Sequence, residues 1–156
     1  MTEPPRVSVI LATCRRMALA LQCVESILRS RYPRFELLIV DQDPTPTLQH
    51  ELAIRFAGDQ RIRYLSSDVQ MLSRARNLGM AAASGDIFVF IDDDATASEN
   101  WLEAYVAAFD GVEPRPGAIA GRIEPRWAPP PPDWLPPDKW YLFGLYDCGQ
   151  DRRPIR

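Results

Sequence analysis

The stretch that decides the fold is Asp86-Ile87-Phe88-Val89-Phe90-Ile91-Asp92-Asp93-Asp94, in which five consecutive apolar residues run directly into three carboxylates. A short apolar run of β-branched and aromatic residues is typical of a strand, so residues 87–91 are predicted to form a strand that is buried on both faces. The three carboxylates then follow the carboxyl end of that strand. Because open α/β sheets bind their ligands at the carboxyl ends of strands, we expect a functional acidic site there.

The spacing of the acidic residues indicates a metal. Asp92 and Asp94 are separated by one residue, so their side chains point to the same side of an extended chain. Carboxylates that are this close repel each other unless a cation lies between them. Oxygen ligands suit Mg²⁺ or Mn²⁺, which keep several waters and bridge to substrate phosphates. The triplet therefore predicts a divalent-metal phosphate site, although an aspartate after a strand is also a common helix cap or turn residue.

The composition is that of an ordinary globular domain. The chain has 156 residues, of which 46% are hydrophobic and 25% charged, so one domain with a substantial core is expected. The net charge is −3 and no basic tail is present, so nucleic acid is not an expected partner. The three cysteines, Cys14, Cys23 and Cys148, lack metal-site spacing and are expected to be reduced thiols.

The sequence shows neither a signal-peptide pattern nor an apolar run of the roughly 18 residues that cross a bilayer. We therefore expect no membrane segment and a cytoplasmic location, with peripheral attachment at the inner face of the membrane left open.

Strands and helices alternate along the chain. Strands are predicted at residues 7–12, 35–40, 61–65, 87–91 and 118–123. Helices are predicted at residues 17–29, 47–56 and 73–83, and after Ser98. This alternation predicts a mostly parallel α/β sheet with helices on both faces. The first, second and fourth strands then end at one edge of the sheet, in Thr13-Cys14-Arg15, Asp41-Gln42-Asp43 and Asp92-Asp93-Asp94.

The last part of the chain has a different composition. From residue 126 onward, prolines are interleaved with aromatic residues, a pattern typical of polyproline II or irregular structure. The aromatic side chains are expected either to pack back on the preceding domain or to form an aromatic wall near an acceptor.

Four segments resemble those of the family 2 inverting glycosyltransferases of GT-A fold, and they occur in the same order and at similar spacing. The resemblance covers about residues 6–125. The segments are Val7-Ser8-Val9-Ile10-Leu11-Ala12-Thr13, Leu38-Ile39-Val40-Asp41, Ala75-Arg76-Asn77-Leu78-Gly79 and Phe90-Ile91-Asp92-Asp93-Asp94. The resemblance implies a Rossmann-like GT-A sheet. It also implies a nucleotide-sugar-binding domain over residues 1–125 and an extension over residues 126–156 that is an incomplete acceptor part, in an apparently truncated chain.

The resemblance also assigns residues to the nucleotide. It implies that Thr13 and Arg15 line the nucleotide, that Asp41 hydrogen-bonds the base or ribose, and that Arg76 lies at the same pocket. Each has a plainer alternative, because Thr13 suits a turn, Asp41 a helix cap and Arg76 a solvent-exposed helix surface. Gly79 likewise suits close helix packing.

The acidic triplet matches the Asp-x-Asp motif of the family. The resemblance implies that Asp94 is a ligand of the Mn²⁺ or Mg²⁺ that holds the diphosphate, with Asp92 as the second candidate ligand. It further implies that Asp92 or Asp93 faces the ribose.

The implied activity is metal-dependent, inverting transfer of a hexose from a nucleotide-diphosphate sugar to a glycan, a lipid or a small molecule. Inversion requires an acceptor-side base, and no catalytic residue is predicted here, so a nucleotide-sugar-binding module without transferase activity is the main alternative. Asp92-x-Asp94-x-Thr96 also matches a Mg²⁺-dependent phosphohydrolase of the haloacid dehalogenase type. That family needs a downstream lysine, and the single lysine, Lys139, lies among prolines and tryptophans.

Overall fold

The computed structural model describes residues 3–127, 130–147 and 149, and the chain divides into two compact units, Met1–Ala107 and Ala108–Arg156. The first unit contains the strands β1 (Val7–Thr13), β2 (Phe35–Asp41), β3 (Ile62–Ser66) and β4 (Ile87–Asp92). The helices α1 (Met17–Leu28), α2 (Thr47–Arg55) and α3 (Leu72–Ala82) alternate with these strands, and α4 (Trp101–Asp110) follows β4. These bounds confirm the predicted alternation.

The four strands form one parallel sheet in the order β3-β2-β1-β4. The chain steps from β1 through β2 to β3 in one direction and then returns to the far side of β1. Because crossovers between parallel strands are right-handed, α1 and α2 lie on one face and α3 on the other. The predicted parallel sheet with helices on both faces is confirmed.

The core is centred on β1 and β2, which are buried along their whole length. Helix α3 approaches them closely at Gly79, where a Cβ atom would lie 2.6 Å from Cγ2 of Ile10 and 3.4 Å from Cγ2 of Val40. Gly79 is therefore a helix-packing residue, because a side chain at this position would push α3 away from the sheet.

Strand β4 corrects one expectation. It was predicted to be buried on both faces, but only Ile87 and Val89 are buried, while Phe88 and Phe90 are 44% and 43% exposed. Phe88 and Phe90 lie on the same face of the sheet as α3, but α3 packs over β1 and β2. Strand β4 is at the edge of the described sheet. An unbroken apolar run does not distinguish a half-covered edge strand from a fully buried one.

The strand predicted at residues 118–123 is wrong. Within the described residues, only Ile123 pairs, through an isolated antiparallel bridge in which it exchanges hydrogen bonds of 2.8 and 2.9 Å with Tyr146. An apolar segment forms a strand only where an adjacent segment pairs with it through several successive backbone hydrogen bonds. Here the pairing is one residue long.

The second unit contains a 3₁₀ helix, Pro137–Phe143. The Trp127 ring packs against Trp140 and Phe143, with ring centroids 5.5 and 5.4 Å apart. Trp127 therefore contacts two other aromatic residues of the same unit. The boundary at residue 125 and the role of the aromatic side chains stay predictions.

Cys14 and Cys23 are free thiols, as expected, whereas Cys148 and residues 151–156 lie outside the described residues. Among the helices that the structure describes, none combines the length and the apolar character that a bilayer crossing requires.

Candidate functional site

The strand order reverses at the carboxyl ends of β1 and β4. The chain leaves β1 toward β2 on one side, and β4 lies on the other, so this is the topological switch point at which open α/β sheets bind ligands. The strands are in register here, since Ala12 pairs with Asp92 and Thr13 pairs with Asp41. The predicted meeting of three polar strand ends at one edge is confirmed.

Asp93 is the buried member of the acidic triplet, with 4% of its surface exposed. One carboxylate oxygen accepts a hydrogen bond of 2.7 Å from the Thr13 hydroxyl, and the other accepts one of 2.6 Å from Nη1 of Arg16. A buried charge is tolerated only when it is paired and hydrogen-bonded. Asp93 therefore ties the loop after β4 to the loop after β1.

Asp92 and Asp94 are the exposed members, with side chains 62% and 52% accessible. Nη2 of Arg76 donates to Asp92 at 2.7 Å, and Nη2 of Arg16 donates to Asp94 at 3.0 Å. The other oxygen of each carboxylate accepts no hydrogen bond from the described residues. Since α4 begins only at Trp101, none of the three aspartates caps that helix.

An open cleft lies beside the triplet, at the ends of β1 and β2 and the N-terminus of α1. Its lining consists of Thr13, Arg15, Arg16, Met17, Asp41, Asp43, Thr47 and Leu48. Helix α1 has no acidic residue in its first turn and no capping side-chain hydrogen bond, so none of its own side chains offsets its partial positive charge. Arg15 has a φ of 56°, a left-handed conformation that is uncommon for a side-chain-bearing residue and clusters at functional loops.

Asp41 is buried in the cleft floor and held from two sides. Its carboxylate accepts hydrogen bonds from the Tyr64 hydroxyl at 3.0 Å and from the Asp43 amide at 2.9 Å. Burial raises the pKa of Tyr64 above its ordinary range, and the hydrogen bond to Asp41 adds to this, so the phenol remains a donor. Helix α2 begins at Thr47 with Pro46 as its N-cap, so Asp41 is not a helix cap.

Asp43 stands at the cleft mouth. Hydrogen bonds from the amide and hydroxyl of Thr45 lower the pKa of Asp43, with a smaller contribution from the charge of Arg15. It therefore remains an anion that holds the turn before α2.

Cys23 of α1 is near the backbone of the triplet, and its thiol donates to the carbonyl of Asp92 at 3.6 Å. Burial raises the pKa of Cys23 to about 12, and the charges of the three aspartates add to the effect. The thiol is therefore protonated and unreactive at neutral pH.

The structure thus brings the predicted residues to one sheet edge in two groups. Thr13, Arg15 and Asp41 line the cleft, and Asp93 joins them through Thr13. Arg76 forms a pair with Asp92 and is not among the cleft-lining residues.

Two residues of the site were missed in the sequence. Arg16 was passed over beside Arg15 because the sequence does not show which of two successive arginines faces the triplet. Tyr64 falls within the strand predicted at residues 61–65, and its contact with Asp41 depends on the pairing of β2 with β3.

The donor set of the triplet suits one mode of metal binding. In the described part of the chain, no three His, Cys, Asp or Glu side chains converge into a metal cage. Asp92 and Asp94 each offer a carboxylate oxygen, and Mg²⁺-like ions are commonly held by one or two carboxylates with phosphates and waters completing the shell. The residues therefore fit an ion that binds together with a diphosphate.

Residues 8–138 match the family described as glycosyl transferase family 2. A glucosyl-dolichyl phosphate glucuronosyltransferase of Haloferax volcanii is 28% identical over 149 residues, which is 92% of this chain and 46% of that protein. The chain thus spans about half the length of this curated relative.

Two solved structures show the same fold. TarS of S. aureus (residues 1–349, with UDP-GlcNAc) has a TM-score of 0.60 and 21% identity, over 68% of this chain and 31% of that one. The mannosyltransferase PcManGT of Pyrobaculum calidifontis, with GDP-Man and Mn²⁺, has a TM-score of 0.57 and 28% identity, over 65% and 31%. The predicted GT-A fold is confirmed.

Proposed function

The chain belongs to glycosyl transferase family 2, and from that premise we propose that it is the donor-binding part of an enzyme that transfers a sugar from a nucleotide-diphosphate sugar. The observation that carries the proposal is the 2.7 Å hydrogen bond between Thr13 and buried Asp93. It fixes the cleft at the ends of β1 and β2 and the acidic triplet after β4 at one edge. The similar structures of TarS and PcManGT hold UDP-GlcNAc and GDP-Man, which supports a nucleotide-sugar donor.

The cleft residues are suited to the nucleotide. Asp41 is a buried carboxylate held by Tyr64, and it would accept a hydrogen bond from the base or the ribose. Thr13 and Arg15 line the same cleft, and the guanidinium of Arg15 supplies donors that match phosphate oxygens. Arg76 binds Asp92 and keeps that carboxylate at the rim of the site.

Asp92 and Asp94 are the residues that would hold Mn²⁺ or Mg²⁺. Such an ion, when bound, stabilises the negative charge that develops on the departing nucleoside diphosphate. The chain contributes two exposed carboxylates for it, at positions set by Arg16, Arg76 and the anchored Asp93.

Inversion at the sugar requires a base that removes the proton of the incoming hydroxyl from the opposite side. No residue of this chain is assigned to that step, and the acceptor is a glycan, a lipid or a small molecule. Membership of the family favours sugar transfer over the phosphohydrolase alternative. A nucleotide-sugar-binding module is the second candidate, because the cleft and the triplet account for donor binding alone.

The test is calorimetric titration of the wild type and Asp94→Ala with UDP and GDP, each with and without Mn²⁺. We expect Asp94→Ala to weaken Mn²⁺-dependent binding by more than about tenfold, since even outer-shell residues of metal sites have effects of that size. The variant should keep its fold, because Asp94 is exposed. Asp138→Ala is the matched control and should bind as the wild type does, because Asp138 is an exposed aspartate that pairs with Lys139.

Undiminished Mn²⁺-dependent binding in Asp94→Ala would refute the site. A transfer and donor-hydrolysis assay on the same preparation separates the two candidates, since binding with neither reaction supports the binding module.

A further inference from the structure

Arg16 links the acidic triplet to the cleft. We propose that Arg16 is a positioning residue that exchanges partners: it ties Asp94 to Asp93 as the structure shows, and it gives up Asp94 for the donor diphosphate when a divalent cation reaches that carboxylate. The inference rests on the proposed function and adds to it a residue that neither the family match nor the sequence motifs assign.

The two contacts of Arg16 are unequal. Nη1 donates to buried Asp93 at 2.6 Å, and Nη2 donates to exposed Asp94 at 3.0 Å. The Asp93 side chain is 5% accessible and the Asp94 side chain 52%. A buried carboxylate needs its partner, whereas an exposed ion pair is screened and weak. The contact with Asp94 is therefore the one that opens.

The geometry gives Arg16 a second partner. Arg16 also lines the cleft, together with Thr13 and Arg15, so a diphosphate there lies beside the guanidinium. A planar guanidinium presents parallel donors to phosphate, and the pair forms charge-assisted hydrogen bonds. A cation at Asp94 repels Arg16, and a diphosphate in the cleft attracts it, so both ligands favour the exchange.

Arg76 provides a contrast within the same triplet. It donates to Asp92 at 2.7 Å, and its guanidinium carbon lies 5.8 Å from the centre of the Phe90 ring. It does not line the cleft. Arg76 therefore has no second partner in the cleft, and the exchange is proposed for Arg16 alone.

The test asks whether Arg16 competes with the cation for Asp94 or only stabilises the loop, because the two roles predict opposite changes in Mn²⁺ affinity. Binding of Mn²⁺ alone is followed by the electron paramagnetic resonance signal of the free ion, and binding of UDP and GDP with Mn²⁺ by calorimetry. For Arg16→Met we expect Mn²⁺ alone to bind roughly two- to fivefold more tightly, the size typical of an exposed ion pair. We expect the diphosphates to bind about tenfold more weakly, the size of a lost charge-assisted hydrogen bond.

A second variant is included in case Arg16→Met does not fold. Arg16→Lys keeps a cation for buried Asp93, but one nitrogen replaces the two that contact Asp93 and Asp94 separately, so the contact with Asp94 weakens and Mn²⁺ alone should again bind more tightly. Arg31→Met, which removes an exposed arginine paired with Glu99 at 2.7 Å, is the control and should change neither affinity.

The inference is wrong if the affinities for Mn²⁺ and for the diphosphates both fall and the midpoint of urea unfolding falls with them. It is also wrong if Mn²⁺ binding is unchanged in both Arg16 variants. If the wild type binds neither UDP nor GDP in the presence of Mn²⁺, the proposed function itself fails. If the wild type binds them and Arg16→Met binds equally well, only the role of Arg16 fails.

Discussion

The two edges of the sheet both gather carboxylates and arginines, but they use them differently. At the amino-terminal edge, Glu36 is 1% exposed and accepts hydrogen bonds from the Ser8 hydroxyl at 2.7 Å and from Arg63 at 2.8 Å. The amide and hydroxyl of Ser84 donate to it as well, at 2.7 and 2.8 Å. At the carboxyl edge, exposed Asp92 and Asp94 each accept a hydrogen bond from a single arginine.

The carboxylates differ in how exposed they are and in how many hydrogen bonds they accept. Burial alone would raise the pKa of Glu36, but the hydrogen bonds from Ser8, Arg63 and Ser84 outweigh it and lower the pKa to about 2. That carboxylate is fully engaged and joins β1, β2, β3 and the turn before β4. The exposed pairs at the other edge contribute little to stability, so ligands can replace them at little cost.

The largest effect expected from this comparison is on stability at the amino-terminal edge. Glu36→Ala leaves the buried Ser8 hydroxyl without its acceptor and removes the acceptor of the Ser84 amide and hydroxyl, and we expect the free energy of unfolding to fall by about 3 kcal/mol. Asp94→Ala should lower it by less than about 1 kcal/mol, because its ion pair is exposed. Urea unfolding followed by circular dichroism measures both, and equal losses would contradict the contrast.

The pH dependence sharpens the same contrast. The pKa of Glu36 is lowered from an ordinary 4.5 to about 2, so its stabilisation is complete above about pH 4.5 and is lost as the pH falls toward 2. We expect wild type and Glu36→Gln to differ by about 2–3 kcal/mol in unfolding free energy at pH 7, and by less than about 1 kcal/mol near pH 2. A difference that stays constant over this range, in urea titrations at each pH, would show that Glu36 is not a charged anchor.

A smaller effect is expected at Gly85, which closes the amino-terminal edge. A Cβ atom there would lie 2.7 Å from the Ser8 nitrogen and 2.8 Å from the Arg6 carbonyl oxygen, and both are backbone atoms that cannot swing away. We expect Gly85→Ala to cost about 2 kcal/mol, as overpacked sites do. Gly117→Ala, with nothing within 4 Å of the added atom, should change stability by no more than about 0.5 kcal/mol. Similar unfolding curves for the two variants would argue against a rigid amino-terminal edge.

Much of the first unit was predictable because its signals are local. The apolar runs that became β1, β2 and β4 are short and are bounded by polar loops, and the crossover rules then leave few ways to arrange them. The same reasoning failed at residues 118–123, where an apolar run lacks a continuous partner. It also missed the exposure of Phe88 and Phe90, since the cover on a strand face depends on other elements.

By itself, the sequence determined that a parallel α/β sheet would carry polar strand ends and an acidic triplet at its carboxyl edge, because strand period and chain direction are properties of neighbouring residues. Only the tertiary structure decided which of the three aspartates is buried, since that depends on Thr13, some eighty positions earlier in the chain. The same long-range packing paired Arg16 with Asp93 and Asp94 and enclosed Glu36. A charge becomes a structural anchor or an available ligand according to what the fold places around it.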